Sequence, residues 1–237
     1  MKVASIAPMH DVERTFDGSY AMLLSHLKDY YPKRVKGDNC YRIMDNSLIE
    51  LGGAVDMIQL VTAATCCDAN EIILPDVFQD YDKTWRSVDK ALSWLYQKGF
   101  NDHFRLMVVC QGKTIDDFER CFDRLVGIKE VHCIGIPKVS ETLHRQGRPY
   151  FEYLWQQGCP KDIHLLGCWT SLDEIKQYQH PEMIRSIDTC IPALNSIYCM
   201  DVWQQRTKER TIDLKHDKLN RVFYDYNINQ LKQEGWL

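Results

Sequence analysis

Three aspartates in this chain each stand at the end of a short apolar run. Asp45 closes Tyr41-Arg42-Ile43-Met44-Asp45, Asp76 closes Ile72-Ile73-Leu74-Pro75-Asp76, and Asp188 closes Ile184-Arg185-Ser186-Ile187-Asp188, just ahead of Thr189-Cys190-Ile191-Pro192. An aspartate after a strand often does no more than cap the next turn. In a barrel of parallel strands, however, the C-terminal strand ends converge on one face, and that face carries the chemistry. Three carboxylates brought to one mouth could divide the work of acid, base and nucleophile. Other residues end strand-like runs in the same way. Gln111-Gly112 follows the run 104–110, and a Gln amide both donates to and accepts from a heterocycle edge. Gly135 lies in Ile134-Gly135-Ile136-Pro137, where a missing side chain lets a planar ligand approach the backbone. His164 reads as a satisfied strand histidine rather than a metal ligand.

These positions require a scaffold that alternates strand and helix. Strands are expected at 2–7, 41–45, 71–75, 104–110, 130–136, 162–168 and 184–188, with an eighth near 209–214. Amphipathic patterns at 19–30, 53–66, 82–98, 114–125, 139–157 and 171–178 predict helices between them. Thr114, with Asp116 and Asp117 behind it, is a helix start, and Ser171-Leu172-Asp173-Glu174 is a capping-box pattern. Such alternation predicts an α/β fold, a (β/α)8 TIM-type barrel, as one domain over 1–237. An open doubly wound sheet is the structural competitor. The Gly-x-Gly-x-x-Gly loop of dinucleotide-binding sheets is absent after the first strand.

Length and composition agree. The chain has 237 residues, 45% of them apolar, and a net charge of −4, so global charge does not advertise a nucleic-acid binder. No apolar run reaches membrane-spanning length, so no membrane partner is expected. The start, Met1 to Pro8, lacks an export pattern, and the ten cysteines fall mostly in apolar runs. Together these predict a cytoplasmic protein with reduced, buried cysteines.

The order of the motifs resembles the tRNA-guanine transglycosylase superfamily over about residues 40–192. Asp45-Asn46-Ser47 resembles the family's Asp-Ser-Gly-Gly segment, which holds the general acid/base. Asp76 resembles the Asp that reads the guanine edge. Val109-Cys110-Gln111-Gly112 is similar to the Val-Gln-Gly-Gly segment, and Ile134-Gly135-Ile136 to the Ile-Gly-Gly-Leu segment, both of which contact the base. Leu165-Leu166-Gly167-Cys168-Trp169 resembles Leu-Met-Gly-Val-Gly. Ile187-Asp188-Thr189-Cys190-Ile191-Pro192 resembles the segment carrying the nucleophile. Departures accompany the likeness. The family's Cys-x-Cys-x-x-Cys…His zinc module is not matched, since Cys199 and His216 stand without the other cysteines. Ala193-Leu194 replaces a Thr-Arg pair, and Leu48 a glycine. This compact form resembles the phage DNA 7-deazaguanine transglycosylases, enzymes that exchange guanine in DNA for a deazaguanine and so protect phage DNA from restriction.

The resemblance implies a pentosyltransferase working by retaining double displacement. Asp188 would attack C1′ as guanine leaves, and the incoming base would then displace the aspartyl ester. Asp45 would serve as acid and base. Asp76, Gln111, Gly112, Gly135 and Ile136 would hold the base. It implies no cofactor and no structural zinc; the substrate base is a 7-deazaguanine such as preQ0 (7-cyano-7-deazaguanine). The other partner is DNA, whose target guanine must be flipped or single-stranded to expose C1′. Lys33, Arg34 and Lys36, and Arg145 and Arg148, lie in basic, aromatic-rich stretches suited to a phosphate path, as do Arg206, Lys208 and Arg210 in the tail. Three other readings stay open: a tRNA-guanine transglycosylase, a non-catalytic nucleic-acid-binding barrel, and a metal-dependent hydrolase. The last would want paired histidines after the first strand, where only His10 stands.

Overall fold

The computed structural model describes residues 1–31, 39–169, 171–204 and 212–237. Eight strands run β1 (Lys2–Ser5), β2 (Tyr20–Leu24), β3 (Tyr41–Asp45), β4 (Glu71–Ile73), β5 (Arg105–Val109), β6 (Cys133–Pro137), β7 (Asp162–Leu166) and β8 (Ile184–Thr189). They close into a parallel barrel in sequence order, with β1 pairing β8 through Ala4 opposite Asp188 and Ser5 opposite Thr189. The predicted TIM-type barrel is therefore the fold.

The helices are α1 (Leu48–Leu51), α2 (Met57–Cys66), α3 (Tyr81–Lys98), α4 (Ile115–Val126), α5 (Tyr153–Gln156), α6 (Ile191–Ile197) and α7 (Arg221–Gln233), joined by several 3-10 turns. Their starts are chemical. Asp56, Asp80, Thr114 and Asn220 each accept a hydrogen bond at the N-cap from a backbone N–H three residues on. Thr114 caps α4 as its sequence predicts.

Three expectations are corrected. The run 19–30 is strand β2 followed by a 3-10 turn over Ser25–Tyr30, and it supplies the missing strand. Tyr-Ala-Met-Leu-Leu is buried on both faces, and a run of that kind reads equally well as helix or strand. Residues 212–214 are not strand, and 209–211 fall outside the described residues. The helix expected over 139–157 is broken into the 3-10 turns Lys138–Thr142 and Arg148–Glu152 and the short α5. Gly147, at φ 71°, and Pro149 interrupt it.

Alternation along the strands separates two cores. Val3, Ala21, Leu23, Met44, Ile72 and Val108 face the helices. Ala4, Met22, Ile43, Ile73, Met107, Val109 and Cys133 fill the barrel interior. One irregularity interrupts the ladder. Ile163 pairs with Ile184 and His164 with Ser186, so β8 carries one extra residue, Arg185. None of the ten cysteines forms a disulfide.

Candidate active site

Asp45 ends β3 on the inward side. The next turn bends sharply, with Ser47 at φ 57°, a conformation uncommon for a residue bearing a side chain. That bend aims the Ser47 N–H at Asp45 Oδ2, 2.7 Å away. Ser47 is itself buried, its hydroxyl 2.9 Å from Ser25 Oγ and 2.9 Å from His26 Nδ1. Burial pushes the Asp45 carboxyl well above its ordinary range. The negative charges of Glu50, Asp188 and Asp76 add to this, and the Ser47 N–H opposes it. Asp45 thus holds a proton more tightly than an ordinary aspartate, and it lies within electrostatic reach of both other carboxylates.

Asp76 follows β4 and is 4% exposed. Both its oxygens are held: Asn46 Nδ2 donates to Oδ1 at 2.8 Å and Gln111 Nε2 to Oδ2 at 2.7 Å. Neither amide is free to turn. Asn46 Nδ2 also donates to the Leu74 carbonyl at 3.0 Å, and Gln111 Oε1 accepts from the Gln79 N–H at 2.9 Å. Burial raises the Asp76 pKa to about 6, against the lowering effect of the two amides. Beside it opens a cleft of about 290 Å³, lined by Asp76, Val77, Phe78, Leu48 and the Gly52-Gly53 turn. Phe78 is 46% exposed there.

Asp188 ends β8 and is 6% exposed. Its Oδ1 accepts from the Gly167 N–H at 2.9 Å and meets His164 Nε2 at 3.2 Å. Gly167 sits at φ 71°, the left-handed backbone that favours glycine, and this turn presents its N–H to the carboxylate. Among the described residues Asp188 Oδ2 has no hydrogen-bond partner. His164 is fully buried, and burial lowers its pKa despite the nearby Asp188, which favours the neutral ring. It is satisfied within the protein, as its sequence context predicts.

The other expected site residues fall into two groups. Gln111 reaches the site through Asp76. At Gly112 a Cβ would stand 2.6 Å from the Phe118 backbone nitrogen, so glycine is needed to pack the loop on α4. Gly135 lies inside the ladder, its carbonyl accepting from Cys110 N–H, with Leu166 Cδ1 2.7 Å from where a Cβ would be. Ile136 is fully buried in the outer core, and its carbonyl accepts from Arg148 Nη1. Its side chain therefore turns away from the barrel interior.

The expectation for Arg148 is corrected. It is fully buried, its Nε donating to Glu174 Oε1 at 2.7 Å and its Nη1 to the Ile136 and Leu166 carbonyls at 3.0 and 2.6 Å. It straps β6 to β7 and cannot meet a polymer. Arg145 is exposed. Lys33, Arg34, Lys36, Arg206, Lys208 and Arg210 lie outside the described residues. Cys199 Sγ accepts from Asn220 and His216 pairs with Asp213, so neither faces the other.

Asn46, Gly167 and Ser47 also shape the site, though their residue types alone carry no catalytic or binding signature. Asn46 and Ser47 adjoin Asp45, and that adjacency was the available signal. Gly167 stands in the Leu165-Leu166-Gly167 motif, but its N–H partner Asp188 is 21 residues away and is not announced locally.

Chemically, the mouth holds a protonatable acid, a carboxylate with one open oxygen, and a third carboxylate fixed at both oxygens. Among the described residues no three His, Cys, Asp or Glu side chains are grouped as metal ligands, and no helix is long and apolar enough to cross a membrane. Compared with models of known protein families and with curated proteins, the chain matches none.

Proposed function

We propose that this chain is a base-exchanging transglycosylase that replaces guanine in DNA with a 7-deazaguanine. The observation that carries the reading is the different way the three carboxylates are held. Asp188 has one oxygen clamped and one open, which suits a nucleophile that must approach C1′ along a fixed line. Asp45 retains a proton more tightly than an ordinary aspartate, which suits protonation of the departing base. Asp76 cannot rotate, and each of its oxygens keeps a second lone pair for the N1–H and exocyclic amine of a guanine edge.

The exchange proceeds in two displacements. Asp188 Oδ2 forms a bond to C1′ as the C1′–N9 bond breaks, and Asp45 gives its proton to the departing guanine. The incoming deazaguanine then loses its N9 proton to Asp45, and its N9 displaces the aspartyl ester, restoring both groups and the configuration at C1′. DNA is favoured over tRNA by the sequence departures at Ala193-Leu194 and at the zinc module. The test is nucleoside mass spectrometry of plasmid DNA and tRNA from cells expressing the chain with deazaguanine precursors supplied. A deazaguanine deoxynucleoside in DNA is the expected result. Incorporation into tRNA alone would make it a tRNA enzyme. Incorporation into neither, with no exchange of labelled guanine in vitro, would overturn the reading.

A further inference from the structure

The interior beneath Asp188 is polar where a barrel core is ordinarily apolar. His164 Nδ1 lies 2.7 Å from Ser186 Oγ, and Arg185 Nε donates to that same oxygen at 3.2 Å. Arg185 is the extra residue of the β8 bulge. Counting back from Asp188 and Ser186, which face inward, an unbroken strand would turn Arg185 outward and Ile184 inward, yet Ile184 packs in the outer core. The bulge re-aims Arg185, and its guanidinium instead reaches Glu71 Oε2 of β4 at 2.9 Å. Tyr41 Oη donates to that oxygen at 3.0 Å.

We propose that Arg185, Ser186 and His164 form a one-way hydrogen-bond chain whose task is to position the nucleophile Asp188; this rests on the transglycosylase reading. The direction follows from donor chemistry. Arginine can only donate, so Ser186 Oγ accepts from it; a carboxylate oxygen can only accept, so His164 Nε2 donates to Asp188 Oδ1, and in a neutral ring Nδ1 is left to accept the Ser186 hydroxyl hydrogen. With Nδ1 accepting, a neutral ring carries its proton on Nε2, and that N–H can only point at Asp188 Oδ1. The chain thus converts a permanent charge, itself fixed by Glu71, into one fixed imidazole tautomer. That tautomer and the Gly167 N–H clamp one oxygen and leave Oδ2 to react. His164, Ser186 and Arg185 are positioning residues, as none is shown to touch the reacting atoms.

Two measurements test this. Long-range proton–nitrogen NMR on protein with labelled histidine, assigned with His164→Gln, reads the His164 tautomer directly. A neutral ring protonated on Nε2, with that preference weakened in Ser186→Ala, is expected. A ring protonated on Nδ1, or doubly protonated at neutral pH, would overturn the chain. Exchange kinetics then read its purpose. His164→Leu is expected to lower kcat about 100-fold, the scale of a misaligned reacting group, with the KM for guanine unchanged. His164→Gln, which restores a donor, should recover to within roughly tenfold of wild type. Equal losses in both variants, or no loss in His164→Leu, would overturn the positioning role. If the wild type exchanges no base at all, the transglycosylase reading and with it the positioning role fall, and the NMR result alone decides whether the directional chain exists.

Discussion

The interior of this barrel has two unlike sides. From β1 to β6 the middle layer is apolar: Ala4, Met22, Ile43, Ile73, Met107, Val109 and Cys133 pack with little exposure to solvent. On β7 and β8 the same depth is occupied by His164 and Ser186, with Asp188 above them and Arg185 folded in by the bulge. Burying polar groups is unfavourable unless each finds a partner, and here His164 and Ser186 do. The contrast teaches that β1–β6 holds the barrel shut while β7–β8 aims one carboxylate. Asp45 and Asp76, at the mouth above the apolar side, are held from the loops by Ser47, Asn46 and Gln111 instead.

Substitutions on the two sides should therefore separate chemistry from stability. The largest effect is expected for Asp188→Ala, which should abolish exchange while circular dichroism and melting stay near wild type. Wild-type enzyme trapped with substrate should carry a nucleic-acid adduct that the variant cannot form. Activity within about tenfold of wild type would remove Asp188 from the nucleophile role. On the apolar side, Met107→Ala should behave in the opposite way. It should cost about 2–5 kcal/mol in denaturant unfolding, with activity per folded molecule little changed.

Asp76 sharpens the comparison because it is buried yet is proposed to read the substrate. Asp76→Asn should weaken guanine binding by about 1–3 kcal/mol in calorimetry, since one acceptor becomes a donor. The wild type should show a pH signature as well. The folded pKa of about 6 lies above the ordinary 3.8, so the folded state holds this proton more tightly than the unfolded chain. The stability gained is full below about pH 4 and is lost as pH rises through 6. The gap of about two pH units corresponds to roughly 3 kcal/mol at most. The stability deficit of Asp76→Asn should accordingly narrow between pH 4 and pH 7; a gap independent of pH would contradict the raised pKa. The smallest effect is expected at Arg145. If it meets a phosphate, Arg145→Ala should reduce the salt dependence of DNA binding by about one unit of slope, without altering the chemistry.

Much of this layout was legible in the chain. A carboxylate closing a short apolar run can be recognised without knowing its neighbours, and all three aspartates, with Gln111, sit at the predicted strand ends. Strand parity was also readable: with Cys133 facing inward, Gly135 follows it and Ile136 must turn outward. What escaped depends on distant partners. Arg148 looks like Arg145 in sequence, and only Glu174, 26 residues further on, draws it into the core. Tyr20–Leu24 carries no periodicity that separates a buried strand from a buried helix. The inward turn of Arg185 depends on a slip in register against β7, which no local pattern announces.

The seam between β1 and β8 has a consequence for how the molecule comes into being. Ala4 meets Asp188 there, and the Val3 N–H is taken by the Trp236 carbonyl at 2.8 Å. Residues from opposite ends of the chain must therefore find one another before the last strand has a neighbour on each side. Pairings this distant in sequence form slowly, because the loop entropy is spent before any contact repays it. A ribosome could release six strands' worth of barrel wall before Asp188, the proposed nucleophile, has been made. Recovery of activity during refolding would then be a clock for the closing of the seam, running behind any signal from the helices.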